Sequence, residues 1–166
     1  MVRQISDFIQ EWNYESESTL KLFGQIPEEI IATKEHEHIR SIARLAWHIT
    51  LTISEMMNKA GLQVIGPDEH APTPASMKEI INTYESSSAS LLHELKKAWN
   101  DQDLEKEVNM YGEQWTLGTV LSVLIRHQAH HRGQLTILMR LAGIKVIGVY
   151  GPSKEEWADM GIPPME

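Results

Sequence analysis

Eight histidines stand in this chain of 166 residues, and two of them, His127 and His131, are four positions apart. On a helix an (i, i+4) pair lies one turn apart on one face, so two imidazoles can converge on a single ion. The apolar positions Val120, Leu124, Leu135, Leu138 and Ala142 mark the core side of that segment. Taking about 100° per residue and Leu124 as zero, His131 falls near about −20° and His127 near about −60°, while His130 falls near about −120°, off the stripe. A third candidate is His48, three residues after Leu45 and four before Thr52, on the flank of another apolar stripe. Three histidines from two facing helices suffice for one divalent ion, and three neutral ligands leave a coordination position open, as catalytic sites do. Zinc and nickel both suit imidazole. The competing reading makes these core histidines whose ring nitrogens are met by hydrogen bonds. Spacing alone leaves both open.

Other residues could take part in the same chemistry. Glu55 follows His48 by seven positions, nearly the same helical direction, and could orient that ring or act as a base; an exposed, salt-bridging carboxylate is the simpler role. Arg132 and Gln134 follow His131 and could support it or bind an anion, with exposed solubility roles as the alternative. His36-Glu37-His38 reads as solvated surface, His70 as loop and His93 as an isolated ring. The five tryptophans and eight methionines sit mostly at stripe positions, as core packing does.

These side chains need helices to position them. Ile5, Phe8, Ile9, Trp12, Thr19, Leu20 and Phe23 predict an amphipathic helix over residues 2–24. Pro27 opens a short helical turn. A second long helix begins at Ser41, carries Ile42, Leu45, Ile49, Ile53 and Met56, and stops at Gly61. Residues 66–74 hold one glycine and three prolines, a loop. Thr73 as cap and Pro74 as first residue predict the start of a third helix running to Trp99. Residues 100–112 read as polar and irregular. Thr116 caps a fourth helix ending at Ala142-Gly143, and Ser153 with Glu156 fits a capping box for a short terminal helix. With no alternating strand pattern, no repeat and no linker, this is an all-α four-helix bundle with a short C-terminal helix, one domain over 1–166.

Composition narrows the function. Fifteen Lys+Arg against 23 Asp+Glu give a formal charge of −8, which opposes nucleic-acid binding. The absence of cysteine excludes a disulfide scaffold, a thiolate metal site and a cysteine nucleophile. The longest apolar passage, Leu117 to Ile125, is far short of the ~20 residues a bilayer span needs, and no signal-peptide pattern opens the chain. A soluble cytoplasmic protein is expected, with no nucleic-acid or membrane partner.

His127-Gln128-Ala129-His130-His131-Arg132-Gly133-Gln134-Leu135 resembles the H-x-x-H-H-R-G-Q signature of the DinB-like (damage-inducible, YfiT-like) bacterial superfamily. Leu45-Ala46-Trp47-His48-Ile49 is similar to that family's second-helix motif, and Val149-Tyr150-Gly151-Pro152-Ser153 with Trp157 resembles the tail of one subgroup. The resemblance implies an up-down-down-up bundle, often a homodimer, holding a divalent metal such as zinc or nickel through His48, His127 and His131. It further implies a metal-dependent S-transferase that takes a low-molecular-weight thiol and an electrophile. A metal-dependent hydrolase and a non-catalytic metal-binding stress protein are the alternatives. No catalytic or cofactor-binding residue beyond the three ligands follows from it.

Overall fold

Ile5, Phe8 and Trp12 recur along one face of helix α1 (Ile5–Phe23), and that face is buried. This computed structural model describes residues 2–34 and 36–163. A 3-10 turn at Glu28–Ile30 follows Pro27. Helix α2 (Ile42–Lys59) starts at Ser41, whose hydroxyl accepts from the Arg44 backbone N–H at 3.2 Å. That bond satisfies one of the amide donors a helix start leaves open. Helix α3 covers Met77–Ala98, helix α4 covers Leu117–Leu141, and helix α5 covers Lys154–Asp159. At α5, Glu156 accepts from the Ser153 amide at 2.8 Å while the Ser153 hydroxyl accepts from the Glu156 amide at 3.3 Å, the reciprocal capping its sequence predicts.

Helix directions follow from side-chain contacts. The Val2 amide donates to Ser122 Oγ at 2.9 Å, and further along Arg132 Nη1 donates to the Glu15 carbonyl at 3.0 Å, so α1 and α4 run together. Trp12 Nε1 donates to Ser88 Oγ at 2.8 Å, while Glu28, beyond the end of α1, accepts from the Met77 amide at 2.9 Å; α3 therefore opposes α1. Leu45 shares a cavity with Leu138, and Thr52 shares one with Val123, so α2 opposes α4. The order is up-down-down-up, with α1 and α2 each packed against α3 and α4.

Two parallel consecutive helices need a connection that returns along the bundle. Residues 60–76 do this against α2: the Val64 amide donates to Asn58 Oδ1 at 2.7 Å, Ser54 Oγ donates to the Pro67 carbonyl at 3.1 Å, and Trp47 Nε1 donates to the Ala71 carbonyl at 3.0 Å. The approach is close enough at Gly66 that a Cβ there would lie 2.4 Å from Ser54 Oγ, so only glycine fits. The strap runs along α2, on which Met56 and Met57 are both buried.

The structure departs from the sequence reading in three places. Helix α1 starts at Ile5 rather than residue 2. Helix α3 starts at Met77, not Pro74: Ser76 Oγ accepts from the Glu79 amide at 3.2 Å, and Glu28 caps from outside. Pro74 instead belongs to the returning strap. Finally, residues 100–112 are not irregular. A 3-10 turn (Asp101–Glu105) leads into a hairpin of β1 (Glu107–Met110) and β2 (Glu113–Thr116), paired Val108 to Trp115 and Met110 to Glu113. Its two-residue loop, Tyr111-Gly112, has φ of 56° and 90°, the positive pair a tight hairpin turn requires. The small hairpin leaves the helical architecture intact.

Candidate metal centre

Helix α4 turns His127 and His131 to one side, and α2, running antiparallel, brings His48 to meet them. Every pair of ring centroids lies between 4.3 and 5.0 Å: His127–His131 at 4.3 Å, His48–His131 at 4.5 Å and His48–His127 at 5.0 Å. One ring nitrogen from each lies within 4.8 Å of the others, a set that could hold a metal ion. Nε2 of His48 and Nε2 of His131 are 3.1 Å apart. His130 stands outside this set. Its ring is exposed, and its Nε2 meets Gln134 Nε2 at 3.1 Å.

The rings are held in the form that ligates. Burial, reinforced by the Arg40 guanidinium and the neighbouring imidazoles, pushes the His48 pKa down to about 3. Burial and the His131 and His130 rings push His127 down to about 4. Burial also lowers His131, against the opposing effect of its bond to Gln134. At neutral pH all three are uncharged, with lone pairs available. Gln134 Oε1 lies 2.7 Å from His131 Nδ1, placing the proton on Nδ1 and leaving Nε2 bare toward His48. Nδ1 of His127 is buried with no hydrogen-bond partner among the described residues, so the protein alone leaves that ring incompletely satisfied. Three neutral nitrogen donors suit a borderline-soft divalent ion, and among the described residues no carboxylate joins them.

Cavities open on both sides of the cluster. One, of about 550 Å³, is lined by His131 and Gln134 with Arg40, Ile39 and Leu138. The other, of about 500 Å³, is lined by His48 and His127 with Arg44, Glu55, Tyr111 and Trp115. A small molecule can reach the imidazoles from either.

Of the remaining sequence candidates, Glu55 reaches the second cavity but not the cluster. Its carboxylate accepts from the Tyr111 hydroxyl at 2.8 and 3.0 Å and pairs with Lys59 at 2.9 Å. Arg132 is buried, contrary to its exposed reading. It ion-pairs with the equally buried Glu15, and Tyr150 from the tail donates to that carboxylate at 2.6 Å while accepting from Arg132. Burial, with Glu15 alongside, pushes the Tyr150 hydroxyl up to about 12. Gln128 is another buried polar residue of the motif. Its Nε2 donates to the Ile49 carbonyl at 2.9 Å, and its Oε1 accepts from the Tyr84 hydroxyl at 3.1 Å. These residues fix the register between α4 and its neighbours, so the motif serves packing as well as ligation. His36 and His38 are exposed, as a solvated surface predicts, and His70 and His93 are exposed as well. Trp12 and Trp47 are core, while Trp115 lines the second cavity.

Sequence and structure comparisons place the whole chain in one family and fold. The family model for the DinB family matches residues 1–165. YrdA of Bacillus subtilis (strain 168), an uncharacterized protein, is 36% identical over 162 residues, covering 98% of this chain and 97% of the relative. A DinB-like protein from Bacillus cereus ATCC 10987 has a crystal structure similar at a TM-score of 0.85 and 35% identity, covering 90% of this chain and 100% of that one. The DinB-like protein YjoA of Bacillus subtilis shares the fold at a TM-score of 0.68 and 21% identity, over 88% of this chain and 98% of its own.

Proposed function

This chain belongs to the DinB family, and on that premise we propose that it binds a divalent ion, zinc or nickel, through His48, His127 and His131 and uses it in S-transfer from a low-molecular-weight thiol to an electrophile. The observation that carries the reading is the meeting of three neutral imidazoles, one nitrogen from each within 4.8 Å, between two cavities. A divalent ion held by three ligands lowers the pKa of a thiol or water that takes its open position. Every other task falls to the chain: Gln134 orients His131, burial keeps the rings neutral, and the cavities admit one reactant from each side. The nucleophile comes from outside, because the chain has no cysteine.

A hydrolytic reading would require a carboxylate free to take a proton. Glu55 is the acidic side chain nearest that role in the second cavity, and its bonds to Tyr111 and Lys59 occupy it. The thiol reading is therefore favoured. Conjugation of a model electrophile, assayed across a panel of small thiols with chelated and His127→Ala proteins as controls, tests it. Thiol-dependent turnover lost in both controls is expected. Turnover that survives chelation, or runs at full rate without thiol, would replace it with hydrolysis, and no turnover at all would leave a metal-binding protein.

A further inference from the structure

The cavities beside the imidazole cluster share a feature that ligation does not use. Each carries an arginine at its rim: Arg40 on the His131 side and Arg44 on the side of His48 and His127. The two also line one depression of about 410 Å³ with Ser41 and Lys34, so the cavities adjoin around the start of α2. Neither guanidinium has an ion pair or side-chain hydrogen bond among the described residues, in a protein whose net charge is −8. Glu37 also lines the depression, and Glu55 and Glu69 line the second cavity, but Lys59 takes the latter two, at 2.9 and 2.8 Å. Apolar and aromatic side chains form part of each wall, Ile39 and Leu138 on one side and Leu51 and Trp115 on the other, beside Gln134 in the first cavity and Thr52 and the Lys59-paired glutamates in the second.

We propose that Arg40 and Arg44 form an oxyanion-binding rim, and that the molecule reaching the imidazoles is an amphipathic organic anion with a carboxylate or phosphate head and an apolar body. Guanidinium groups match such oxyanions in geometry as well as charge. The inference rests on the reading of His48, His127 and His131 as a site open to small molecules. It is independent of which ion sits there.

Calorimetric titration with hexanoate, hexyl phosphate, hexanamide and acetate tests it, on metal-loaded and metal-free protein of measured metal content. Hexanoate or hexyl phosphate should bind at least tenfold tighter than hexanamide, and hexanoate tighter than acetate. The comparison of the two acids identifies the preferred head. Arg40→Gln with Arg44→Gln should cost at least tenfold for the anions, leaving metal content and hexanamide binding unchanged. Equal affinity for hexanoate and hexanamide, binding of neither, or wild-type anion affinity in the double variant would overturn the rim. Absence of metal uptake would overturn the metal reading instead, and the arginine comparison would still stand on metal-free protein.

Discussion

Gln134 Oε1 lies 2.7 Å from Nδ1 of His131, three residues earlier on the same helix, and so decides which nitrogen of that ring faces His48. A local contact within one turn thus sets the chemistry of a site between two helices. Gln134→Leu should weaken metal binding roughly 10–100-fold while leaving the far-ultraviolet spectrum unchanged. Competition against a chromogenic chelator reads the affinity. Wild-type affinity in the variant would remove Gln134 from the site.

Arg132 and Glu15 form a buried ion pair, both side chains 3% exposed. Removing one partner leaves an uncompensated charge in the core, so Glu15→Ala should cost about 3–5 kcal/mol. Tyr150→Phe deletes a hydroxyl bonded to Glu15 and should cost about 1 kcal/mol. Urea denaturation measures both. A Glu15→Ala midpoint equal to wild type would contradict the burial.

Folding should depend on pH through the same imidazoles in metal-free protein. Their folded pKa values, about 3 for His48 and about 4 for His127, lie below the 6.5 of an unfolded histidine. Between those values the unfolded chain holds more protons, so stability is full above pH 6.5 and falls as pH drops toward 4. Carboxylates held low, such as Glu155 at about 2 beside Arg140, start from 4.5 and act only below it. The loss between pH 6.5 and 4.5 should therefore flatten in His48→Gln/His127→Gln. A wild-type slope in that variant would assign it elsewhere.

Legibility in the sequence followed the range of each interaction. Ser41, Thr116 and Ser153 mark helix starts because a cap bonds within three residues, and His127 with His131 shows its shared face from spacing alone. Arg132 was not readable: a charged type suggests solvent, and its partner Glu15 lies 117 positions away. The hairpin stayed hidden because its strands are four residues each and largely charged or polar on the exposed face. Its turn places Tyr111, not asparagine or glycine, at positive φ. Gly112 was its one local signal. His48 joined the pair on α4 only through a flank position, and what brings it into contact is the antiparallel packing of α2 on α4.

Homodimer formation is expected from the family resemblance and from α4, where Ile137 and Leu141, one turn apart, are 55% and 59% exposed. Light scattering should give twice the chain mass of 18.9 kDa. Ile137→Lys should shift it toward the monomer. A mass of one chain at all concentrations would contradict the dimer.

Elemental analysis of purified protein beside His131→Ala and His130→Ala measures most directly whether three imidazoles hold one ion. About one divalent ion per chain is expected in the wild type. His131→Ala removes a ring at the centre of the cluster and should lose it, while His130→Ala alters an exposed ring outside the set and should keep it. Equal retention in both variants, or equal loss in both, would contradict the site.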